Sequence, residues 1–210
     1  MTSKLLKCKI CRRAGEKLFL KGERCFLAKC SFTKKPYAPG QHSKKGGPVT
    51  DFGKQLLQKQ TLKRSYGLRE KQFKNYFKKA ASSSKEDFLD LLVRSLETRL
   101  DNVVYRLGFA DSRAQARQLV GHGFLQVNEG AVNIPSFALK QGDVVSFKIN
   151  KESKKYLDFL RDKIEKKKKE VPSWLELDAK ELKGRLVALP NAKEVKMSAD
   201  LQSVIEFYSR

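Results

Sequence analysis

Apolar residues recur at helical spacing through the middle of the chain. Between Leu89 and Leu107 they stand three or four residues apart, and Gly108 ends the series. This spacing is typical of a helix that buries one face, and glycine commonly ends a helix. The same reasoning predicts further helices at about residues 51–66, 69–80, 112–120 and 153–169.

Short apolar segments between turn residues predict strands. They fall at residues 124–127, 132–134 and 144–149, with a turn at Asn128-Glu129-Gly130 between the first two. Near the N-terminus, Leu18-Phe19-Leu20 predicts one more short strand. Two helices packed against a small antiparallel sheet are therefore expected within residues 95–150, beside a mainly helical N-terminal part. The expected fold class is α+β.

Positive charge is concentrated in the first 80 residues. The 210-residue chain carries 45 Lys and Arg against 23 Asp and Glu, a net charge of +22. Residues 1–80 hold 22 of the basic residues and 4 of the acidic ones, and residues 81–210 hold the other 23 and 19. Repulsion on this scale favours a polyanionic partner. Nucleic acid is the obvious one, because its binding releases counterions condensed on the phosphates.

All four cysteines lie within the first thirty residues. Cys8, Cys11, Cys25 and Cys30 follow the spacing C-x2-C-x13-C-x4-C. Each pair can turn its thiolates toward one point, and four thiolates suit a closed tetrahedral zinc site. Four cysteines also hold iron–sulfur clusters, which stay an alternative. Four protein ligands leave no open coordination position, so a structural metal in a finger is expected.

Several classes of function are excluded by what the sequence lacks. No run of 18 apolar residues predicts a membrane span, and the N-terminal segment has no apolar export-signal core. We therefore expect a cytosolic protein with reduced thiols, no membrane partner and no disulfides. The sequence has only two histidines, no nucleophile elbow and no phosphate-binding loop, so it shows no group of catalytic residues. We therefore expect no small-molecule substrate.

Basic side chains around the cysteines predict contacts to RNA phosphates. The loop at 33–49 is rich in Pro, Gly and Lys and carries Tyr37. That composition suits a segment lying along an RNA backbone. The basic residues near the cysteines are Arg12, Arg13, Lys29, Lys34 and Lys35.

A second phosphate site is predicted on the helix at 112–120. Arg113 and Arg117 stand four residues apart, so they share one face. The N-terminus of the helix adds backbone N–H groups that favour an anion. A solvated helix face is the alternative, and acidic partners on the same helix would support it, but the sequence has none there.

Seven segments together form a recognisable pattern. They are Gly15–Cys25, Pro39–His42, Glu70–Phe73, Leu100–Ala110, Ser112–Val120, Gly142–Val144 and Ile205–Arg210. These segments closely resemble the bacterial small-subunit ribosomal protein S-four family. They touch nearly the whole chain in order, and the four-cysteine pattern is that of one branch of the family.

The resemblance implies a protein that binds 16S ribosomal RNA at a helix junction of the 5′ domain and nucleates small-subunit assembly. It implies neighbours, especially protein S-five, a place near the messenger RNA entrance, and an effect on decoding accuracy. Some members also bind messenger RNA to repress their own synthesis. By resemblance, Arg99, Arg106, Arg113, Arg117 and Gln41-His42 contact RNA. All expected RNA contacts together are Arg12, Arg13, Lys34, Lys35, Tyr37, Gln41, His42, Lys44, Lys45, Lys63, Arg64, Lys71, Lys74, Arg99, Arg106, Arg113, Arg117 and Gln118.

These observations divide the chain into four expected parts. Residues 1–45 form the four-cysteine metal finger and basic loop, and 46–95 the helical part of the first domain. Residues 96–150 form a helix-turn-helix-strand RNA-binding module. Residues 151–210 form a C-terminal segment that packs back on the first domain.

Two rival functions stay open. Arg99-Leu100-Asp101 echoes the catalytic segment of pseudouridine synthases, although the Thr and Gly expected after it are missing. A free-standing translational regulator or DNA-binding finger protein would share the composition. The favoured interpretation is a non-enzymatic constituent of the cytoplasmic ribosome.

Overall fold

The computed structural model describes residues 7–41, 48–83, 87–148, 157–158, 160–162, 164, 171–195 and 197–209. The chain forms two compact units. The first takes residues 1–75 and 196–210, and the second takes residues 76–195. No helix within these described ranges is long and apolar enough to cross a membrane.

The first unit is helical. Thr50 caps the helix Asp51–Ser65 by accepting a hydrogen bond from the Gly53 amide, and Asp200 caps the helix Leu201–Tyr208 in the same way through the Gln202 and Ser203 amides. Such caps satisfy amides that a helix start leaves unpaired. Its helices are α1 Lys7–Ala14, α2 Ser31–Lys34, α3 Asp51–Ser65, the start of α4 Glu70–Ala81, and α8 Leu201–Tyr208.

Helices α3, α4 and α8 each place an apolar residue deep in the interior of this unit. Leu62, Phe73 and Val204 are completely buried, and the Phe73 ring lies against the Tyr208 ring with centroids 6.2 Å apart. The predicted helices at 51–66 and 69–80 are confirmed as α3 and α4.

The strand predicted at Leu18–Leu20 is wrong. Phe19 has a φ of 50°, in the left-handed region, which breaks an extended segment. A short 3-10 helix, Gly22–Cys25, follows instead.

The second unit begins with two helices where the sequence predicted one from 89 to 107. They are α5 Phe88–Glu97 and α6 Leu100–Arg106. Arg99 between them has extended backbone, with φ −61° and ψ 135°, and pairs with Ala138 as an isolated bridge. The apolar spacing continues through the break, since Leu96 and Leu100 are both completely buried. Periodicity alone therefore could not reveal it.

A five-stranded antiparallel sheet lies within the described part of this unit. Its order is β2-β1-β3-β5-β4, and the helix before it, α7, spans Arg113–Gly121. The strands are β1 Leu125–Val127, β2 Gly130–Ala131, β3 Val144–Phe147, β4 Leu175–Asp178 and β5 Lys183–Leu186.

The strand predicted at 132–134 is wrong, because the turn before it is shorter than expected. Asn128 and Glu129 alone form the hairpin loop, with φ values of 47° and 68°, so pairing already begins at Gly130. Positive φ at both loop residues is what a type I′ turn requires. The strand predicted at 144–149 covers β3, and its last residue lies outside the described ones.

The core of the second unit lies between α6, α7 and the sheet. Of the predicted helix at 153–169, the described positions are helical, and Leu157 and Leu160 are buried in this core. Other core members are Val103, Val104, Leu107, Val120, Leu125, Val145, Trp174 and Leu186.

Candidate nucleic-acid interface

Arg99 and Asp101 form a buried ion pair at the start of α6. The Arg99 side chain is 1% exposed, and its Nη2 and Nε donate to the two Asp101 carboxylate oxygens over 2.8 and 3.1 Å. Its Nη1 donates to the Tyr76 hydroxyl over 2.6 Å. Burial opposes the charged form, but hydrogen bonds to Asp101 and Tyr76 raise the Arg99 pKa above its ordinary value. These partners indicate a role in holding α6.

Glu97 lies at the end of α5 and holds two groups of α6. Its carboxylate is completely buried and accepts from Arg106 Nη2 and Nε over 2.6 and 2.9 Å. Asn102 Nδ2 donates to the Glu97 side chain over 2.8 Å and to its carbonyl over 3.0 Å. Bidentate guanidinium–carboxylate bonds fix orientation as well as charge. The head of Arg106, 24% exposed, is therefore held in one direction.

Arg113 and Arg117 continue this group of side chains on α7. Arg113 Nε donates to Asn102 Oδ1 over 2.8 Å, and its guanidinium carbon lies 4.7 Å from the Tyr105 ring centroid. Arg117 Nε lies 3.5 Å from Asp101 Oδ2, and its side chain is 38% exposed. Gln118, the residue after Arg117 and also a predicted RNA contact, is exposed.

Residues Arg106, Arg113 and Arg117, together with their supports Glu97, Asp101, Asn102 and Tyr105, are called the arginine network below. It brings together guanidinium groups from two helices and holds them by hydrogen bonds to the buried Glu97 and Asn102 and by an ion pair to the buried Asp101. The N-terminus of α7 is itself capped, because Ser112 Oγ accepts from the Gln115 amide. Side-chain charge, more than the helix end, is therefore what this network can offer to an anion.

In the first unit, the structure brings Arg13 of α1 close to Arg64 of α3. Burial lowers the pKa of Arg64, and repulsion from Arg13 lowers it further. Two neighbouring guanidiniums repel each other, and an anion between them would relieve that repulsion. Both residues were predicted as RNA contacts from sequence.

Other predicted contacts have partners inside the protein. Arg12 Nε donates to the Tyr37 carbonyl over 2.9 Å, and its guanidinium lies over the Tyr37 ring at 4.9 Å. Arg12 therefore ties α1 to the loop that carries Tyr37. Lys63 is ion-paired with Glu70.

Of the remaining predicted RNA contacts, some are exposed and others lie outside the residues that the structure describes. Residues Lys34, Lys35, Gln41, Lys71 and Lys74 are exposed. His42, Lys44 and Lys45 lie outside the described residues.

Cys11 lies within electrostatic reach of the other three cysteines. Burial raises the pKa of Cys11, and the charges of Cys25, Cys8 and Cys30 raise it further, while the Leu18 amide lowers it. Cys11, Cys25 and Cys30 are buried, and all four thiols are free of disulfides. Among the described residues, no group of three or more His, Cys, Asp and Glu side chains is placed so that it could hold a metal ion.

The surroundings of the thiols nevertheless suit thiolate ligands. Cys30 precedes α2, and the amides of Thr33 and Phe32, with the Thr33 hydroxyl and Lys17, lower its pKa. Amide donors at sulfur stabilise the thiolate, which is the form that binds metal. The donor set fits a soft metal ion that prefers sulfur.

Known proteins match the chain over nearly its whole length. A family profile described as Ribosomal protein S4/S9 N-terminal domain matches residues 4–97, and one described as S4 domain matches residues 98–145. Small ribosomal subunit protein uS4 of Thermotoga petrophila is 48% identical over 205 residues, 97% of this chain and 96% of that protein. The uS4 proteins of Kosmotoga olearia and Thermodesulfovibrio yellowstonii are 48% and 44% identical with the same coverage. The chain belongs to the uS4 family.

Membership of the uS4 family confirms the resemblance noted in the sequence. A uS4 protein is a structural component of the small ribosomal subunit in the cytoplasm and is not an enzyme. The pseudouridine synthase rival fails on the structure too, because Asp101 is 4% exposed and paired with Arg99. The mixed helical and small antiparallel fold was also predicted correctly.

Sequence reasoning missed the supports of the arginine network. Glu97, Asn102 and Tyr105 were not singled out, although they orient two of the predicted arginines. Glu97 and Arg106 stand nine residues apart. On a continuous helix, side chains at that separation would not contact each other, because only those three or four residues apart are neighbours. Only the break at Arg99 brings them together.

Proposed function

We propose that the chain binds 16S ribosomal RNA of the 5′ domain directly and nucleates assembly of that domain. The observation that carries the proposal is the arginine network, in which buried Glu97, Asp101 and Asn102 hold guanidinium groups of α6 and α7. Pre-ordered guanidiniums lose little side-chain entropy on binding phosphate. The pair Arg13 and Arg64 adds a second cationic site in the first unit.

A salt-series binding experiment tests this function. The full-length chain is titrated with 16S 5′-domain RNA and with an unrelated structured RNA of equal length, at several salt concentrations. Both affinities should fall with salt, by about 0.7–0.9 in slope for each phosphate neutralised. Retained preference for the 5′-domain RNA at high salt supports the proposal. Equal affinity for both RNAs would overturn it.

A variant pair separates the network from general charge. Arg113→Ala with Arg117→Ala removes two oriented cations, and Lys78→Ala with Lys79→Ala removes two exposed cations of α4. Both lower the net charge by two. The first pair should weaken binding to the 5′-domain RNA more strongly and reduce its preference over the unrelated RNA. Equal losses would mean that the arginine network contributes charge alone.

We also propose that Cys8, Cys11, Cys25 and Cys30 hold a structural zinc ion. Zinc would cross-link a finger too small to bury a sufficient apolar core by itself. The C-x2-C-x13-C-x4-C spacing and the amides at Cys11 and Cys30 support this assignment. Metal analysis of protein purified without chelator should find one zinc per chain. Iron with visible absorbance would indicate a cluster instead, and no metal at all would contradict the proposal.

Further roles concern the neighbourhood in the ribosome. The family resemblance supports a position beside protein S-five at the messenger RNA entrance, with effects on decoding accuracy and repression of its own messenger. Cross-linking of assembled small subunits tests the position, and a stop-codon readthrough reporter tests accuracy. Binding to the chain's own messenger, in competition with the 5′-domain RNA, tests repression.

A further inference from the structure

An aromatic side chain projects into solvent at the tip of the cysteine-bearing segment. Phe26 directly follows the buried Cys25, yet its side chain is 73% exposed. Leu27 beside it is 56% exposed. Soluble proteins rarely leave adjacent large apolar residues so open unless the surface meets a partner.

The Phe26 ring is held in place by a second aromatic ring. Phe19 stacks on it with centroids 4.9 Å apart and an angle of 30° between the planes. Phe19 is half-buried and has a φ of 50°, a backbone conformation that bulky residues seldom adopt. One face of Phe26 is therefore covered by Phe19, and its high exposure leaves the other face open.

The segment that carries this ring is basic. Lys21, Arg24 and Lys29 are exposed within a few residues of Phe26, and Glu23 is the acidic residue among them. Between Lys21 and Lys29, Gly22 and Cys25 are buried while the other side chains point outward. The charge complements a polyanion, and the open ring complements a flat apolar group.

We propose that Phe26 is a stacking platform for an unpaired RNA base, with Lys21, Arg24 and Lys29 attracting the flanking phosphates. Every nucleobase has an aromatic face, so the platform takes unpaired nucleotides without reading their sequence. A base on the open face of Phe26 continues the stack that Phe19 begins. The proposal rests on RNA binding by this chain and adds a site remote in sequence from the arginine network.

A matched pair of variants at Phe26 tests the platform. Phe26→Leu keeps an exposed apolar side chain and the net charge but removes the ring, whereas Phe26→Tyr keeps the ring. The probes are a ten-nucleotide oligoadenylate strand and a ten-base-pair RNA duplex, each titrated with the full-length chain. Phe26→Leu should weaken binding to the single strand at least about five-fold. Binding to the duplex and the salt slope should stay unchanged, and Phe26→Tyr should bind both probes like the wild type.

A fluorescence measurement gives an independent readout of stacking. The chain has one tryptophan, Trp174, which is 2% exposed. Phe26→Trp adds a second one at the platform, and the wild type serves as the control for Trp174. Oligoadenylate should quench the added emission, because a stacked base is in direct contact with the indole. Absence of extra quenching would overturn the proposal.

The outcomes separate this proposal from the proposed function. Phe26→Leu binding the single strand as tightly as the wild type would overturn the platform, and a protein partner would then be the remaining explanation for the exposed ring. In that case, a retained preference for 5′-domain RNA, lost on Arg113→Ala with Arg117→Ala, would leave the ribosomal function standing. Loss of that preference in the wild type would overturn the function, whatever Phe26 does.

Discussion

The carboxylate of Glu97 and the guanidinium of Arg106 form a two-point ion pair across the break between α5 and α6. The two N–O distances are 2.6 and 2.9 Å, and Glu97 is completely buried. Such a pair contributes little net stability compared with apolar residues, but it is costly to break by removing one partner. The pair thus fixes the direction of Arg106 while depending on both members.

Replacing Glu97 by Gln should destabilise the second unit. The amide of Gln would place N–H donors opposite the Arg106 and Asn102 donors, and Arg106 would keep its charge without its carboxylate. We expect the free energy of unfolding to fall by about 3 kcal/mol. Urea unfolding followed by circular dichroism measures it. The control Glu176→Gln, at an exposed position of β4, should change it by less than about 0.5 kcal/mol. Equal losses of unfolding free energy in the two variants would mean that the buried ion pair of Glu97 does not stabilise the unit.

Local sequence signals predicted those elements that local interactions form. Helices α3, α4 and α7 have both an apolar period and recognisable ends, and all three were predicted. The break at Arg99 depends on the bridge to Ala138, thirty-nine residues away, and on the Leu100 amide bonding to the Phe137 carbonyl. A short stretch of sequence around Arg99 therefore cannot reveal the break.

The strand pair β4 and β5 carried a signal that was overlooked. Leu175 and Leu186 are buried, while Glu176 and Lys183 are exposed, which is the alternation of a half-buried strand. The short length of each strand and the charged turn between them concealed this pattern. The four-part division of the chain and the individual RNA contacts stay predictions.

The ring of Tyr105 should increase RNA affinity by orienting Arg113. The guanidinium carbon lies 4.7 Å from the ring centroid, a separation that favours cation–π attraction. Tyr105→Leu should weaken binding to 5′-domain RNA about two- to five-fold, the equivalent of about 0.5–1 kcal/mol. Filter binding at constant salt measures the change.

Tyr105→Phe is the matched control, because it keeps the ring and removes the hydroxyl. It should bind like the wild type. If the Phe variant loses as much affinity as the Leu variant, the hydroxyl and not the ring is responsible. Thermal unfolding of both variants shows whether a loss of affinity merely reflects a loss of folded protein.

Gly184 allows β5 to pass close to Leu107, the residue that follows α6. A Cβ atom at this position would overlap Cδ1 of Leu107, a side chain that is completely buried. Gly184→Ala should therefore lower the free energy of unfolding by about 1–3 kcal/mol through overpacking. The same substitution in a Leu107→Ala background should cost much less, because the clash is gone. Additive effects of the two substitutions in urea unfolding would show that the contact is not the cause.

Glu70 should make the first unit sensitive to acid. Partial burial favours its neutral form, but hydrogen bonds from Lys59 and Lys63 lower the pKa of Glu70 from 4.5 to about 2. A carboxylate with a lowered pKa in the folded state stabilises that state above pH 4.5, and the contribution is lost as the pH falls toward 2. Because the side chain is 48% exposed, solvent screening reduces this contribution to about 1 kcal/mol.

Glu70→Gln isolates that contribution. Its effect on the free energy of unfolding should be near 1 kcal/mol at pH 6 and should shrink steadily between pH 4.5 and pH 2, because the wild type then also carries a neutral side chain. The control is Asp51→Asn, which removes an exposed carboxylate paired with Lys54 at the start of α3. That exposed pair should contribute little at any pH. A difference between Glu70→Gln and the wild type that stays constant from pH 6 to pH 2 would show that the amide disrupts packing, and that the ion pairs with Lys59 and Lys63 do not stabilise the unit.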